Sequence, residues 1–546
     1  MQKYSVAGNI IDIAGRRVYK GKVEVENGRV AAVVPVATQV PGRYIMPGFV
    51  DAHVHIESSM LVPHVFGGMA VKHGTVATVS DPHEIANVCG VAGVDFMLES
   101  AALTPLKINF GAPSCVPATN FETAGASIDD KAVSALLARP EIKYLTEMMN
   151  FPGVLHHDAQ VMAKIAAAKA LNKPIDGHAP GLRGADALRY AAAGISTDHE
   201  CTTLEEAVDK LEAGMYILIR EGSAAKNFEA LAPLFASHPG KLMLCSDDKH
   251  PDELVKGHVN QLVERALAKG YDVYDVLHAA CVLPVTHYGL DVGLLRAGDP
   301  ADFIIVDSLE HVVPSAVFID GIDVLNAAAE GRQQCVQPVN NFAITAPHIS
   351  AYEIKPPRDA DKVQVRAIKA LDGQLLTEAF DAELPVTGGK VMTDIENDLL
   401  KIGVVNRYRQ AAVSIGFVHG FGLRSGAMAS SVAHDSHNIV FVGVDDDAIA
   451  TAVAAIVNQK GGICVTADGN TMLMPLPVAG LMSEEDGITV AATYEKLDAF
   501  AKQLGSKLEA PFMTLSFMAL PVIPTLKITD KGLFDVNQFA FTDLFR

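Results

Sequence analysis

Apolar residues in the first half of the chain gather into eight short β-rich runs, at residues 44–55, 75–81, 107–113, 143–149, 174–178, 194–199, 215–220 and 241–247. The stretches between them are rich in Ala and Leu with helical spacing. Strand-like and helical segments alternating in this way predict parallel βαβ units. Eight such units predict a (β/α)8 barrel, whose chemistry lies at the C-terminal ends of its strands. Ahead of it, residues 1–46 read as short strands at 10–13, 17–19, 22–26 and 29–35, with Asn27-Gly28 as a hairpin signal. A second β-rich set follows at 301–307 and 316–322. Neither set can close a core alone. They are expected to pair into one small composite β-sandwich (residues 1–46 and 286–345), with the barrel (47–285) inserted between them. Prolines 347, 356 and 357 mark a change of pattern, and residues 346–546 are expected to form a separate C-terminal α/β domain. The expected fold class is therefore α/β.

The strand ends carry the chemistry. The first run closes on Asp51-Ala52-His53-Val54-His55. Positions i and i+2 of a strand face the same side, so both imidazoles point one way. Two converging neutral imidazoles begin a metal site, although two histidines on a half-exposed strand would share that spacing. The other ends decide between these readings: the fourth run offers Glu147, the fifth His178, the sixth His199 and the eighth Asp247. Metal-capable residues at so many ends of one barrel are not the scatter of packing histidines. Around them, His83 and Glu84 end the second strand in a Pro-flanked turn. They could hold substrate, relay a proton or bind a further ion; a carboxylate serving the helix macrodipole is the ordinary alternative. Asp248 adjoins Asp247 and suits either substrate contact or support of its neighbour. Arg220 and Glu221 read as an ordinary exposed pair, and Ser58 and Ser59 as caps of the first barrel helix. His434, Asp435 and His437 form a cluster that could close over the barrel mouth, bind metal or form an internal hydrogen-bond network.

Several segments carry a resemblance: Pro47-Gly48-Phe49-Val50-Asp51-Ala52-His53-Val54-His55-Ile56-Glu57-Ser58-Ser59, Asp81-Pro82-His83-Glu84-Ile85-Ala86-Asn87 and Asn150-Phe151-Pro152-Gly153-Val154. It continues through Asp176-Gly177-His178-Ala179-Pro180-Gly181, Asp198-His199-Glu200, Ser246-Asp247-Asp248-Lys249-His250-Pro251 and Ala433-His434-Asp435-Ser436-His437-Asn438. The chain resembles the amidohydrolase superfamily and, within it, the microbial adenine deaminase family, over nearly its whole length. The resemblance implies hydrolysis of a purine base, adenine to hypoxanthine and ammonia, as in purine salvage. It also implies two divalent metal ions, Mn or Fe by preference, with Zn equally suited to such donors. His53, His55, Glu147 and Asp247 would hold one ion, and Glu147, His178 and His199 the other. Glu147 then bridges where many amidohydrolases use a carboxylated lysine. A hydroxide shared by two metals forms near neutral pH. Asp247 would carry its proton to the leaving group, Glu84 is the second catalytic candidate, and His83, Asp248, His434 and His437 are candidates for substrate contact. The competing readings are an amidohydrolase acting on a cyclic amide or another aminopurine, and a non-catalytic assembly protein. The latter would be expected to have lost ligands.

Composition narrows the setting. The formal charge of −20 and the lack of a basic stripe argue against nucleic acid. Apolar residues make up 49%, yet no continuous apolar run marks a membrane span, and the first residues do not read as a secretory signal. Seven scattered cysteines without Cys-x-x-Cys fit reduced cytoplasmic thiols. The apolar content suits a homodimer. His55-Ile56-Glu57 matches half of the zinc nucleobase deaminase signature, but no Pro-Cys-x-x-Cys follows. Gly461-Gly462 lacks any phosphate-loop context.

Overall fold

The computed structural model describes residues 3–326 and 336–546; residues 327–335 of the expected second sandwich segment, Cys335 included, lie outside the described residues. The first strands are β1 (Lys3–Asp12), β2 (Arg17–Glu26), β3 (Arg29–Pro35) and β4 (Tyr44–Pro47). The barrel strands are β5 (Phe49–Val54), β6 (Thr75–Ser80), β7 (Lys107–Ala112), β8 (Ile142–Met148), β9 (Ile175–Gly177), β10 (Thr197–Asp198), β11 (Tyr216–Arg220) and β12 (Leu242–Cys245). They form a five-stranded parallel sheet, β5 to β9, and a three-stranded one, β10 to β12. Backbone hydrogen bonds join both seams. Asp247 N donates to His53 O at 2.9 Å and His55 N to Asp247 O at 3.3 Å, while Ser196 N donates to Ile175 O at 2.9 Å. Every residue of β5 and of β6 is buried, as expected of parallel strands covered on both faces.

The run at 44–55 is two strands rather than one. Gly48 separates them, and an added Cβ there would lie 2.2 Å from Val76 Cγ1. The chain leaves the small sheet and enters the barrel at a point too tight for any side chain. In the other direction, the runs at 17–19 and 22–26 are one strand. Gly21 inside it marks close packing on Ile10, not a turn. Asn27 and Gly28 both have positive φ, 51° and 78°, as a tight hairpin requires.

The flanking β-rich sets do pair. With β13 (Phe303–Val306), β14 (Pro314–Ile319) and β15 (Ile322–Asp323), the early strands build one seven-stranded sheet, β15-β14-β13-β4-β1-β2-β3. Val6, Val23, Ile45, Phe303 and Phe318 share one apolar core across it. Val30 N donates to Asp299 O at 2.9 Å, tying the far edge back to the segment that precedes β13.

Beyond residue 345, a nine-stranded sheet is flanked by helices that include Asp446–Gln459 and Gly487–Gln503. The first of these buries Ile449, Ala452, Val453, Ile456 and Val457, one apolar stripe at helical spacing. Asp445 caps its start by accepting from Ala448 N. This region packs against the barrel. Phe49 and Ile219 of the barrel belong to the same buried apolar cluster as Ile368, Val440 and Leu481. Ser483 N donates to Met60 O at 2.8 Å and Val62 N to Ser483 O at 3.1 Å, fastening the loop after β5 to the C-terminal region.

Candidate metal centre and active site

The six strand-end residues converge. His53 and His55 face each other, Nε2 to Nε2, at 3.1 Å. Asp247 Oδ1 lies 3.5 Å from His53 Nε2 and 3.3 Å from His55 Nε2. Glu147 divides its carboxylate between two groups. Oε1 lies 3.3 Å from His55 Nε2, while Oε2 lies 2.7 Å from His178 Nδ1 and 3.1 Å from His199 Nε2. All six side chains are buried. His55 Nδ1 sits 3.3 Å from the Asp81 carbonyl, which leaves Nε2 free to face the centre. His199 Nε2 is buried without a hydrogen-bond partner although it faces carboxylate oxygens. An orphaned imidazole nitrogen within a set of four histidines and two carboxylates fits divalent cations bound through N and O.

Charge is concentrated here. Burial alone would raise the Glu147 carboxyl, but His178, His199 and His55 outweigh it and hold it well below its ordinary value. Asp247 is likewise held low against burial by Arg220, His53 and His55. Its backbone adopts a left-handed φ of 53°, uncommon for a residue with a side chain and typical of functional turns.

The surrounding candidates reach the same place. His83 Nδ1 lies 3.0 Å from Asp81 Oδ2 and 3.5 Å from Glu147 Oε1, and its Nε2 lies 3.3 Å from Glu84 Oε1. Glu84 is in the first turn of the helix His83–Cys89, as the macrodipole reading expects, but its carboxylate also meets His434 Nδ1 and His437 Nε2. Burial opposes ionisation of Glu84; the imidazoles of His434, His437 and His83 overcome it and push the carboxyl well down. His434 is lowered by burial but lifted by Glu84 and Asp248, to about 9. One cavity is lined by His55, Glu84, Glu147, Asp247, Asp248 and His434, with Leu375, Phe517 and Leu520 also on its wall. His437 binds Glu84 from behind instead of joining that lining.

Two sequence readings are corrected. Ser58 and Ser59 do not cap the helix Pro63–Ala70, which has no side-chain cap and starts on Pro63. Ser58 Oγ instead donates to Asp248 Oδ1 at 2.5 Å, and Ser59 Oγ to Ile56 O at 2.6 Å. Arg220 is not an exposed residue: it is 5% exposed and donates to Asp247 Oδ2 at 2.6 Å and to Glu200. Glu221 pairs instead with Arg265. Glu200 carried a signal, its place beside His199, whereas Leu375, Phe517 and Leu520 carried none.

Comparison with known proteins follows the same division. The amidohydrolase family model matches residues 44–331, and the model of the adenine deaminase C-terminal domain matches residues 374–540. A curated adenine deaminase of Salinibacter ruber is 52% identical over 544 residues, 99% of each chain. One from a Sulfurovum species is also 52% identical, over 98% of each chain. One from Methanosarcina acetivorans is 51% identical over all of both chains. The chain belongs to the adenine deaminase family. The six strand-end residues fall in the segment matched as amidohydrolase, while His434, Asp435 and His437 fall in the matched adenine deaminase C-terminal domain. The cavity is therefore lined by side chains from both family segments.

Proposed function

We propose that this protein is a metal-dependent hydrolase that converts free adenine to hypoxanthine and ammonia at a centre for two divalent ions. The observation that carries the reading is one cavity lined both by the histidine–carboxylate cluster and by Glu84, Asp248, His434, Phe517 and Leu520. His53, His55, Glu147 and Asp247 would hold one ion, and Glu147, His178 and His199 the second. Two ions there would lower the pKa of a water enough to supply a nucleophile at neutral pH. The N and O donors suit Mn, Fe or Zn, with Mn or Fe preferred by the family resemblance.

The rest of the chemistry belongs to the side chains. Glu147 holds the two halves of the centre together by turning one oxygen to each. Asp247 takes a proton from the attacking water and returns it to the exocyclic nitrogen, so that water adds at C6 and ammonia leaves. Addition at C6 places charge on the adjacent ring nitrogen. Glu84, an ionised carboxylate steadied by three imidazoles, takes the second proton of the water and passes it to that nitrogen, which leaves the C6 carbonyl of hypoxanthine. His83 supports Glu84, and His437 acts through Glu84 from behind. Asp248 and His434 offer hydrogen bonds to the ring edge, and a site built to pair specific ring groups can reject analogues lacking them by roughly 10⁴-fold. Leu375, Phe517 and Leu520 exclude water around the ring.

The reading includes a cytoplasmic homodimer, supported by six free cysteines among the described residues and by the apolar composition. Among the described residues, no helix is long and apolar enough to cross a membrane.

Ammonia release tests the substrate. Adenine is expected to turn over well ahead of adenosine, guanine and cytosine, with dihydroorotate and hydantoin inert. Turnover of a cyclic amide with none of adenine would overturn the reading and leave the metal centre standing.

A further inference from the structure

Glu200 follows His199 at the end of β10 and is 3% exposed; Arg220 closes β11. Glu200 Oε1 lies 3.3 Å from His199 Nε2 and 3.5 Å from His178 Nδ1. Glu147 Oε2 addresses the same two nitrogens at 3.1 and 2.7 Å. The second half of the centre thus has two imidazoles and two carboxylates within reach of one ion. With zinc, which these donors also suit, four of them would close a tetrahedral site of the structural kind, whereas catalytic zinc sites keep one position open for water or substrate. Glu200 is engaged elsewhere. Arg220 grips both of its oxygens, with Nη2 donating to Oε2 at 3.0 Å and Nη1 to Oε1. The same Nη1 donates to Asp247 Oδ2 at 2.6 Å. A planar guanidinium fork suits this two-oxygen grip in a way an ammonium does not.

We propose that Arg220 is a positioning residue that withholds Glu200 from the second metal ion, keeping one coordination position of the His178–His199 site open, while aiming Asp247 at the other ion. The proposal rests on the two-metal reading above. Arg220 links the ends of β10, β11 and β12, so a residue on the seventh strand, which gives no ligand, sets the coordination number of an ion held by its neighbours. Without Arg220, the Glu200 carboxylate is a buried charge whose best remaining partner is the metal.

The test compares wild type with R220M, R220K, E200Q and the double variant R220M/E200Q, each loaded with Zn. Metal content per chain, the rate at which a chelator strips the slower ion, and kcat and KM for adenine are measured, with thermal melts as a control for folding. R220M is expected to keep two ions, to release the slower one roughly 10- to 100-fold more slowly, and to lose a comparable factor in kcat with KM changed far less. R220K, which keeps a cation but loses the fork, is expected to lie between R220M and wild type and serves if R220M folds poorly. Removing the freed donor in R220M/E200Q is expected to restore fast release and regain much of kcat. Release from both R220M and R220K at the wild-type rate or faster, or a double variant no better than R220M, overturns the role of Arg220. Wild type that binds no ions overturns the two-metal reading itself, and this inference with it.

Discussion

Asp247 combines three features: it faces the His53–His55 pair through one oxygen, accepts from Arg220 through the other, and has a left-handed backbone conformation. Asp247→Asn keeps the shape, and Asn tolerates that backbone conformation, so the substitution isolates the carboxylate's basicity. Turnover is expected to fall by about 10²-fold or more, the scale for losing a positioned acid–base group, with metal content much less affected. Near-normal turnover would remove Asp247 from proton transfer. A second residue-scale prediction concerns Lys527, whose Nζ donates to Leu375 O at 2.7 Å and Phe517 O at 3.0 Å behind the cavity wall. Burial pushes its pKa down to about 7 from 10.5. Between those values the unfolded chain binds a proton that the folded chain does not, so this group makes stability rise with pH from about 7 to about 10.5 and weighs against the fold below that window. Lys527→Met is expected to flatten the rise in melting temperature between pH 7 and 10. An unchanged slope would show that Lys527 does not titrate there. At this scale the metal-capable residues were legible because strand periodicity and strand ends are local properties. Arg220 was not, because its partners lie on two other strands and nothing near it in sequence announces them.

The barrel strands were legible as apolar runs with helices between them, and the hairpin at Asn27-Gly28 from its turn chemistry. Two boundaries were not. Gly48 divides a run that looks continuous, because the constraint is a contact with Val76 in the next strand. Gly48→Ala is expected to cost about 1–3 kcal/mol through overpacking, read as a lower denaturation midpoint at unchanged m-value. A wild-type midpoint would mean that Val76 yields freely. The nine-stranded sheet was the harder case. Strands such as Leu400–Val405 and Ile439–Gly443 are buried at every position. Strands covered on both faces show no alternation, so their pattern resembles that of any buried segment.

Across the whole molecule, the Pro-marked change near residue 345 suggested a C-terminal unit, and an apolar cluster runs between that region and the barrel. The reason is visible in the cavity: Leu375, His434, Phe517 and Leu520 come from the C-terminal region and must be held against the strand ends of the barrel. A loose attachment could not keep His434 and His437 on Glu84. The resemblance in the Ala433–Asn438 stretch was the one sequence signal of this arrangement; the apolar wall carried none. The central claim is that six barrel residues bind two ions that adenine deamination requires. The most direct measurement titrates metal-free protein with Mn while ammonia release from adenine is followed. Activity is expected to be absent without metal and to reach its plateau at two equivalents per chain. Full activity in metal-free protein, or none at any metal loading, would contradict the account.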